Sequence, residues 1–284
     1  MASDRSFELV ASDLDGTLLR TDDSLSPRTR AAVHGAIATG AIFVYATGRP
    51  PRWTDPVVEA LDHYGFAVAS NGAYVVDLSV ADHDLRVVKR HEISVDSAWA
   101  AVELLRTVLP DVAFACDGLG GFAHEPGYVS NFRYPASLVG AVEELLDRPY
   151  AKLLFRHPDM TPEVFAALGD AIGDVATLTF GATPAHGPAN LLPNAGTLVE
   201  VQAFGVSKAA ALGWVCERVG LDQSEARTVA FGDMPNDLEM LRWADHGVAM
   251  GNAHDDVKSA ADEITASNDD DGVAIVLERE FAGL

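Results

Sequence analysis

Positive charge is the scarcest resource of this chain. Across 284 residues, 20 lysines and arginines face 42 aspartates and glutamates, leaving a formal charge of −22 at neutral pH. That balance argues against general binding to nucleic acid or to anionic lipid, both polyanions that basic surfaces attract. Cysteine is nearly absent. Cys116 and Cys216 sit in apolar stretches with no CxxC or Cys/His spacing, which gives little support to a disulfide framework or a zinc knuckle. The histidines are scattered without i,i+4 pairing, so metal ligation by imidazole is not expected. No uninterrupted apolar run approaches the roughly 20 residues that span a bilayer. The opening "MASDRSFE" has neither a basic n-region nor an apolar h-region, and the expected location is cytoplasmic, away from membranes.

What the chain does have is a core. Its 48% hydrophobic content is that of a globular protein that folds without staples. "FELVASDL" reads as a strand, "SPRTRAAVHGAIATG" as a helix and "AIFVYAT" as a strand, with Ser26 suited to the N-cap, Pro27 to the first turn and Gly40 to the stop. A β-α-β order with both strands apolar throughout predicts parallel strands buried on both faces, hence an α/β sheet. From about residue 86 the texture becomes two rounds of amphipathic helix and alternating strand, the pattern of a separate α+β module. After "HGPANLLPNAG" the α/β texture returns with "TLVEVQAF" as its opening strand, and "HGVAMGNA" reads as a later one. These shifts predict a split core over residues 1–84 and 192–284 with a module inserted over 85–191, the linkers falling near 84 and 191. "NDDDG" at 268–272 reads as a solvated cap before the final helix.

Four polar spots fall at strand ends or helix starts, where the loops of a parallel sheet converge at its carboxyl edge. Asp13 and Asp15 close the first strand. Two carboxylates at the mouth of a buried strand repel each other, and Mg2+ resolves that repulsion, because it takes hard oxygen ligands and binds beside phosphate. "ATGRP" offers the Thr47 hydroxyl, the approachable Gly48 backbone and the Arg49 guanidinium as a phosphate cradle. Lys208 follows Ser207 at a helix start, where a cation opposes the macrodipole unless an anion is bound there too. "FGDMPND" supplies Asp233, Asn236 and Asp237, Asp233 being placed after its strand as Asp13 is after its own.

In this chain order, "DLDGT", "TGR", a lone lysine after an inserted module, and "GDMPND" resemble the haloacid dehalogenase (HAD) superfamily. The length and position of the insertion resemble its Cof-like branch, subfamily IIB with a type C2 cap, as do "SNGA" at 70–73, "VAMGNA" at 248–253 and "DGVA" at 271–274. Ala209 departs from the glycine that many relatives carry after the lysine. The resemblance implies a Rossmann-like parallel sheet core with an α+β cap acting as a lid, and a Mg2+-dependent phosphatase of a small phosphorylated metabolite, a sugar phosphate or a cofactor phosphate. It implies Asp13 as nucleophile and Asp15 as general acid and base. The metal falls to Asp13, Asp15, Asp233 and, in support, Asp237. Leu14, Thr47, Gly48, Arg49, Lys208 and Asn236 surround the phosphoryl group, and Gly16, Thr17 and Asn71 support them, Thr17 by hydrogen bonding back to Asp15 or Asp13. Substrate choice is assigned to the cap, with "ACDGLGGFAHEPGY" as the candidate stretch. A phosphomutase and a non-enzymatic phospho-ligand sensor are the alternatives.

Overall fold

The computed structural model describes residues 7–82, 86–129, 136–158, 160–180 and 196–281. The chain forms two compact units, Met1–Lys89 with Ser207–Leu284, and Arg90–Val206. The linker positions expected near 84 and 191 lie outside the described residues.

The first unit opens with β1 (Leu9–Ser12), α1 (Pro27–Ala38), β2 (Ile42–Ala46), α2 (Asp55–Leu61), β3 (Phe66–Ala69), β4 (Tyr74–Asp77) and β5 (Val87–Arg90). As the sequence predicts, the Ser26 hydroxyl caps α1 by accepting from Thr29 N–H, with Pro27 in the first turn. "FAVASNGAYVVD" is two antiparallel strands, β3 and β4, joined by a turn at Ser70–Gly72.

The second unit contains α3 (Val95–Val108), β6 (Phe114–Gly118), β7 (Gly121–His124), β8 (Leu138–Val139), α4 (Val142–Leu145), β9 (Lys152–His157), α5 (Pro162–Ile172), β10 (Ala176–Phe180) and β11 (Thr197–Ala203). Its six-stranded sheet runs β10-β11-β9-β6-β7-β8. Strand β11 corrects the expectation that "TLVEVQAF" reopens the parallel core. It lies antiparallel between β10 and β9. The physical reason is Glu200, a buried acid whose partner is Lys152 of β9 at 2.5 Å, 48 residues away in the chain.

The chain then returns to the first unit through α6 (Lys208–Val219), β12 (Thr228–Gly232), α7 (Leu238–Trp243), β13 (His246–Ala249), α8 (Asp255–Ala260), β14 (Glu263–Ile264) and α9 (Gly272–Glu280). Strand β13 ends at Ala249, so "MGNA" is loop rather than strand. The eight-stranded sheet runs β14-β13-β12-β1-β2-β3-β4-β5, and β14, β13, β12, β1, β2 and β3 are parallel. Strand β1 is central and fully buried, as are the paired residues of β12 and, apart from the half-buried Ile42, those of β2 beside it. Because connections leave β1 and β12 towards opposite edges, the sheet switches direction between them, and ligands of such sheets bind outside the carboxyl ends at that point.

Candidate active site

The residues that follow β1, β2, β3 and β12 all emerge at one edge, because these strands are parallel. Asp13 follows β1 and donates its backbone N–H to Phe231 of β12. The chain then makes one wide turn over Leu14–Leu18, closed by Leu18 N–H to Asp13 O and Leu19 N–H to Leu14 O. Gly16 takes φ +75° in this turn, and a Cβ there would collide with the Asp233 carboxylate. Glycine is therefore required twice, for the left-handed backbone and for the approach of an acid.

The centre of the site is a buried lysine among acids. Lys208, 1% exposed, donates from Nζ to Asp13 Oδ1 and to Asp237 Oδ1, both at 2.6 Å. Its opposition to the helix dipole is thus answered by two carboxylates. Oxygen atoms of Asp13, Asp233 and Asp237 lie within 4.8 Å of one another. Burial pushes the Asp13 carboxyl up to about 7 against the pull of Lys208, and neighbouring Asp237 and Asp15 add to the rise. Burial, reinforced by Asp13 and Asp237, pushes Asp233 up to about 8. Burial alone would depress Lys208, but Asp13 and Asp237 outweigh it and hold the ammonium charged.

Three further side chains are engaged at this edge, and one of them, Thr17, departs from its expected contact. Thr17 donates its hydroxyl to Asp233 Oδ1 at 3.1 Å, not to Asp13 or Asp15. Folding brings Asp233 beneath the turn, so the threonine finds the acid 216 residues away before the ones beside it. Asp237 has both oxygens engaged, Oδ1 by Lys208 and Oδ2 by the backbone N–H groups of Asp233 and Met234; it orients the lysine and the turn. Arg49 pairs with Asp15, Nε to Oδ2 at 2.8 Å with a second contact through Nη2. Asp15 is the most exposed of these acids, its side chain 45% accessible.

The remaining candidates are gathered at the same edge. Thr47, fully buried, accepts Arg49 N–H on its hydroxyl. Asn71, left-handed at φ 55°, donates its backbone N–H to Thr47 O and accepts the Asn236 side-chain amide at 3.0 Å. Gly72 lets this turn press against the backbone of Ser207, where a Cβ would meet the Ser207 carbonyl. Leu14 is buried at the start of the wide turn. Two residues escaped the sequence reading as site components. Asn252 and Asn268 both reach the Asp15 turn. "NDDDG" precedes the final helix as expected, with Asp269 and Asp270 exposed and Asp271 at the N-cap position, and it also docks beside that turn: Asp269 accepts Thr21 N–H and hydroxyl, and Asp271 accepts Arg20.

The donor set fits a hard divalent cation. Three buried carboxylates surround one ammonium, all their donor atoms are oxygens, and the raised Asp13 and Asp233 mark the excess negative charge that a cation would relieve. Among the described residues no helix is long and apolar enough to cross a membrane.

A family model described as haloacid dehalogenase-like hydrolase matches residues 10–277. The 5-amino-6-(5-phospho-D-ribitylamino)uracil phosphatase YitU of Bacillus subtilis is 30% identical, covering 96% of this chain and 97% of that protein. In fold, the chain is similar to a HAD phosphatase from Bacteroides thetaiotaomicron, with a TM-score of 0.78 at 24% identity over 99% of this chain and 97% of that one. It is similar also to a HAD subclass IIB sugar phosphatase, with a TM-score of 0.76 at 23% identity over 96% and 98%. With the acids and the lysine of its four motifs assembled at one sheet edge, the chain belongs to the haloacid dehalogenase-like hydrolases and is a phosphoric monoester hydrolase.

Proposed function

We propose that the protein is a Mg2+-dependent phosphatase of a small phosphorylated metabolite and works through an aspartyl-phosphate on Asp13. The observation that carries this reading is the buried contact of Lys208 with Asp13 and Asp237, beside Asp233, at the carboxyl edge. The Asp13 and Asp233 carboxylates and the Asp15 carbonyl would hold Mg2+, with Asp237 in support, and the ion when bound supplies the positive charge that lets one anion approach another.

An Asp13 oxygen attacks phosphorus, forming the Asp13 O–P bond as the bond from phosphorus to the leaving oxygen breaks. Asp15 gives its proton to the departing alkoxide, then takes one from the water that cleaves the acyl phosphate and restores Asp13. To do so it must leave Arg49. Lys208 offsets charge on the phosphoryl oxygens from a site where water cannot screen it. The Leu14 amide, Thr47, Gly48 and Asn236 complete the cradle, and Asn71 keeps Gly48 and Asn236 in register.

The relative's name, which describes a phosphate ester on a ribityl chain, supports a sugar-type or cofactor-precursor phosphomonoester here. Phosphate release is to be measured with Mg2+ across sugar phosphates, sugar-alcohol phosphates, nucleotides, flavin mononucleotide and pyridoxal phosphate. Hydrolysis of at least one, with about 10³-fold or greater loss in Asp13→Asn, is the expected result. No release from any of them, or activity that survives in Asp13→Asn, sinks the reading. Isomerised sugar phosphate with little free phosphate would point to a mutase instead.

A further inference from the structure

The turn that carries Asp15 is held from outside by two asparagine side chains. Asp15 (ψ 120°) and Gly16 (φ 75°) are both non-helical inside it, so the hydrogen bonds that close the turn at Leu18 and Leu19 do not fix the peptides between them. Asn252 does. Its Nδ2 donates to the Gly16 carbonyl at 2.8 Å. Its Oδ1 accepts the backbone N–H of Asn268 at 2.9 Å, and Asn268 Nδ2 donates to the Leu19 carbonyl at 3.0 Å. Asn268 is 4% exposed.

This relay is itself anchored to the metal-side strand. Met250 N–H donates to Gly232 O, Gly251 N–H to Ala266 O and His254 N–H to Asp233 O. The loop carrying Asn252 is therefore fixed to both ends of the Gly232–Asp233 peptide step, and through Asn252 it sets the Gly16 carbonyl relative to Asp233. Asp269, which accepts from Thr21 at 2.9 and 2.7 Å, ties down the far side of the turn. Each end of the 16–21 segment is thus held by the "GNA" loop or by the "NDDDG" segment.

We propose that Asn252 and Asn268 are positioning residues for Asp15: by fixing the Gly16 carbonyl inside its turn and the Leu19 carbonyl just past it, they set the direction in which its carboxyl is presented to the leaving group. The inference rests on the reading of Asp15 as general acid. A group that has to exchange Arg49 for the substrate needs a backbone that does not move with it, and this relay supplies that fixed base.

The test uses kcat/KM at saturating Mg2+, which includes only the steps up to departure of the leaving group. p-Nitrophenolate leaves without help, whereas an alkoxide needs a proton. Asn252→Asp keeps the acceptor for Asn268 and replaces the donor to Gly16 with a carboxylate oxygen that repels that carbonyl; Asn268→Ala deletes the link to Leu19. For each, kcat/KM on an alkyl phosphate should fall about 10-fold or more, while that on p-nitrophenyl phosphate stays within about 3-fold of wild type. The retained aryl activity also reports an intact fold and nucleophile. Equal losses on both esters, or no loss on either, overturn the proposal. Asp15→Asn is the reference: if it shows the leaving-group dependence and the asparagine variants do not, the relay alone fails. If Asp15→Asn shows none, the general-acid reading falls and the relay's role falls with it.

Discussion

Lys208 is the residue on which the site balances. Burying an ammonium is costly, and here two carboxylates meet it at hydrogen-bonding distance. Lys208→Met should remove activity and lower stability by about 3–5 kcal/mol, since it strands Asp13 and Asp237 without their cation; urea unfolding reads the second effect. The acids themselves oppose folding when no metal is bound. Asp13 and Asp233 are raised by burial to about 7 and 8, so their contribution is most favourable at low pH, where both are protonated. It is lost as pH climbs from about 4 towards 8. Metal-free Asp233→Asn should therefore be more stable than wild type at pH 8, by a margin that shrinks towards pH 4. Mg2+ should raise the Tm of the wild type more at pH 8 than at pH 5, as a ligand set that must ionise requires. Glu263, lowered from 4.5 to about 2 by Arg279, acts with the opposite sign: its contribution is present above about pH 4.5 and is lost as pH falls towards 2. A margin independent of pH would contradict this account.

Among the elements, the short turns carry more of the site than the helices do. The Ser70–Gly72 turn has three consecutive residues at positive φ, a strained run that persists only where its surroundings hold it. It lies against Ser207, the N-cap of α6, and so sets where Lys208 begins. Gly72→Ala should cost about 1–3 kcal/mol through the forbidden φ and also displace α6. Activity should then fall at substrate saturation, with no rescue by added Mg2+. The sequence showed the first helix with its cap, because Ser26 acts on a neighbour three residues on. It did not show that "MGNA" ends its strand early or that "NDDDG" docks on the Asp15 turn. Those outcomes depend on carbonyls of Gly16 and Leu19 that are more than 200 residues distant.

At the scale of the whole molecule, the proposed chemistry belongs to one unit. Asp13, Asp15, Thr47, Asn71, Lys208, Asp233, Asn236 and Asp237 all lie within Met1–Lys89 and Ser207–Leu284. The second unit has its own buried ion pair, Lys152 with Glu200, each about 5% exposed. Lys152→Met should destabilise that unit by about 3–5 kcal/mol, because a buried ion pair loses one of its two members. Mg2+ affinity measured by titration calorimetry below the unfolding transition should not change, since every proposed ligand lies in the other unit.

The sequence by itself determined the parallel α/β core, the interruption, and the identity of the acids, the lysine and the glycine of the first turn. Those depend on local pattern: apolar runs fix strands, caps fix helix starts, and polar residues directly after parallel strands must share an edge. Only the tertiary structure decided which side chain each of them meets. Thr17 turned to Asp233, Asp15 to Arg49, Asp237 to Lys208, and the strand at 197–203 to the second sheet. A hydrogen bond is settled by distance in space, and the chain brings these partners together only after the sheets have formed.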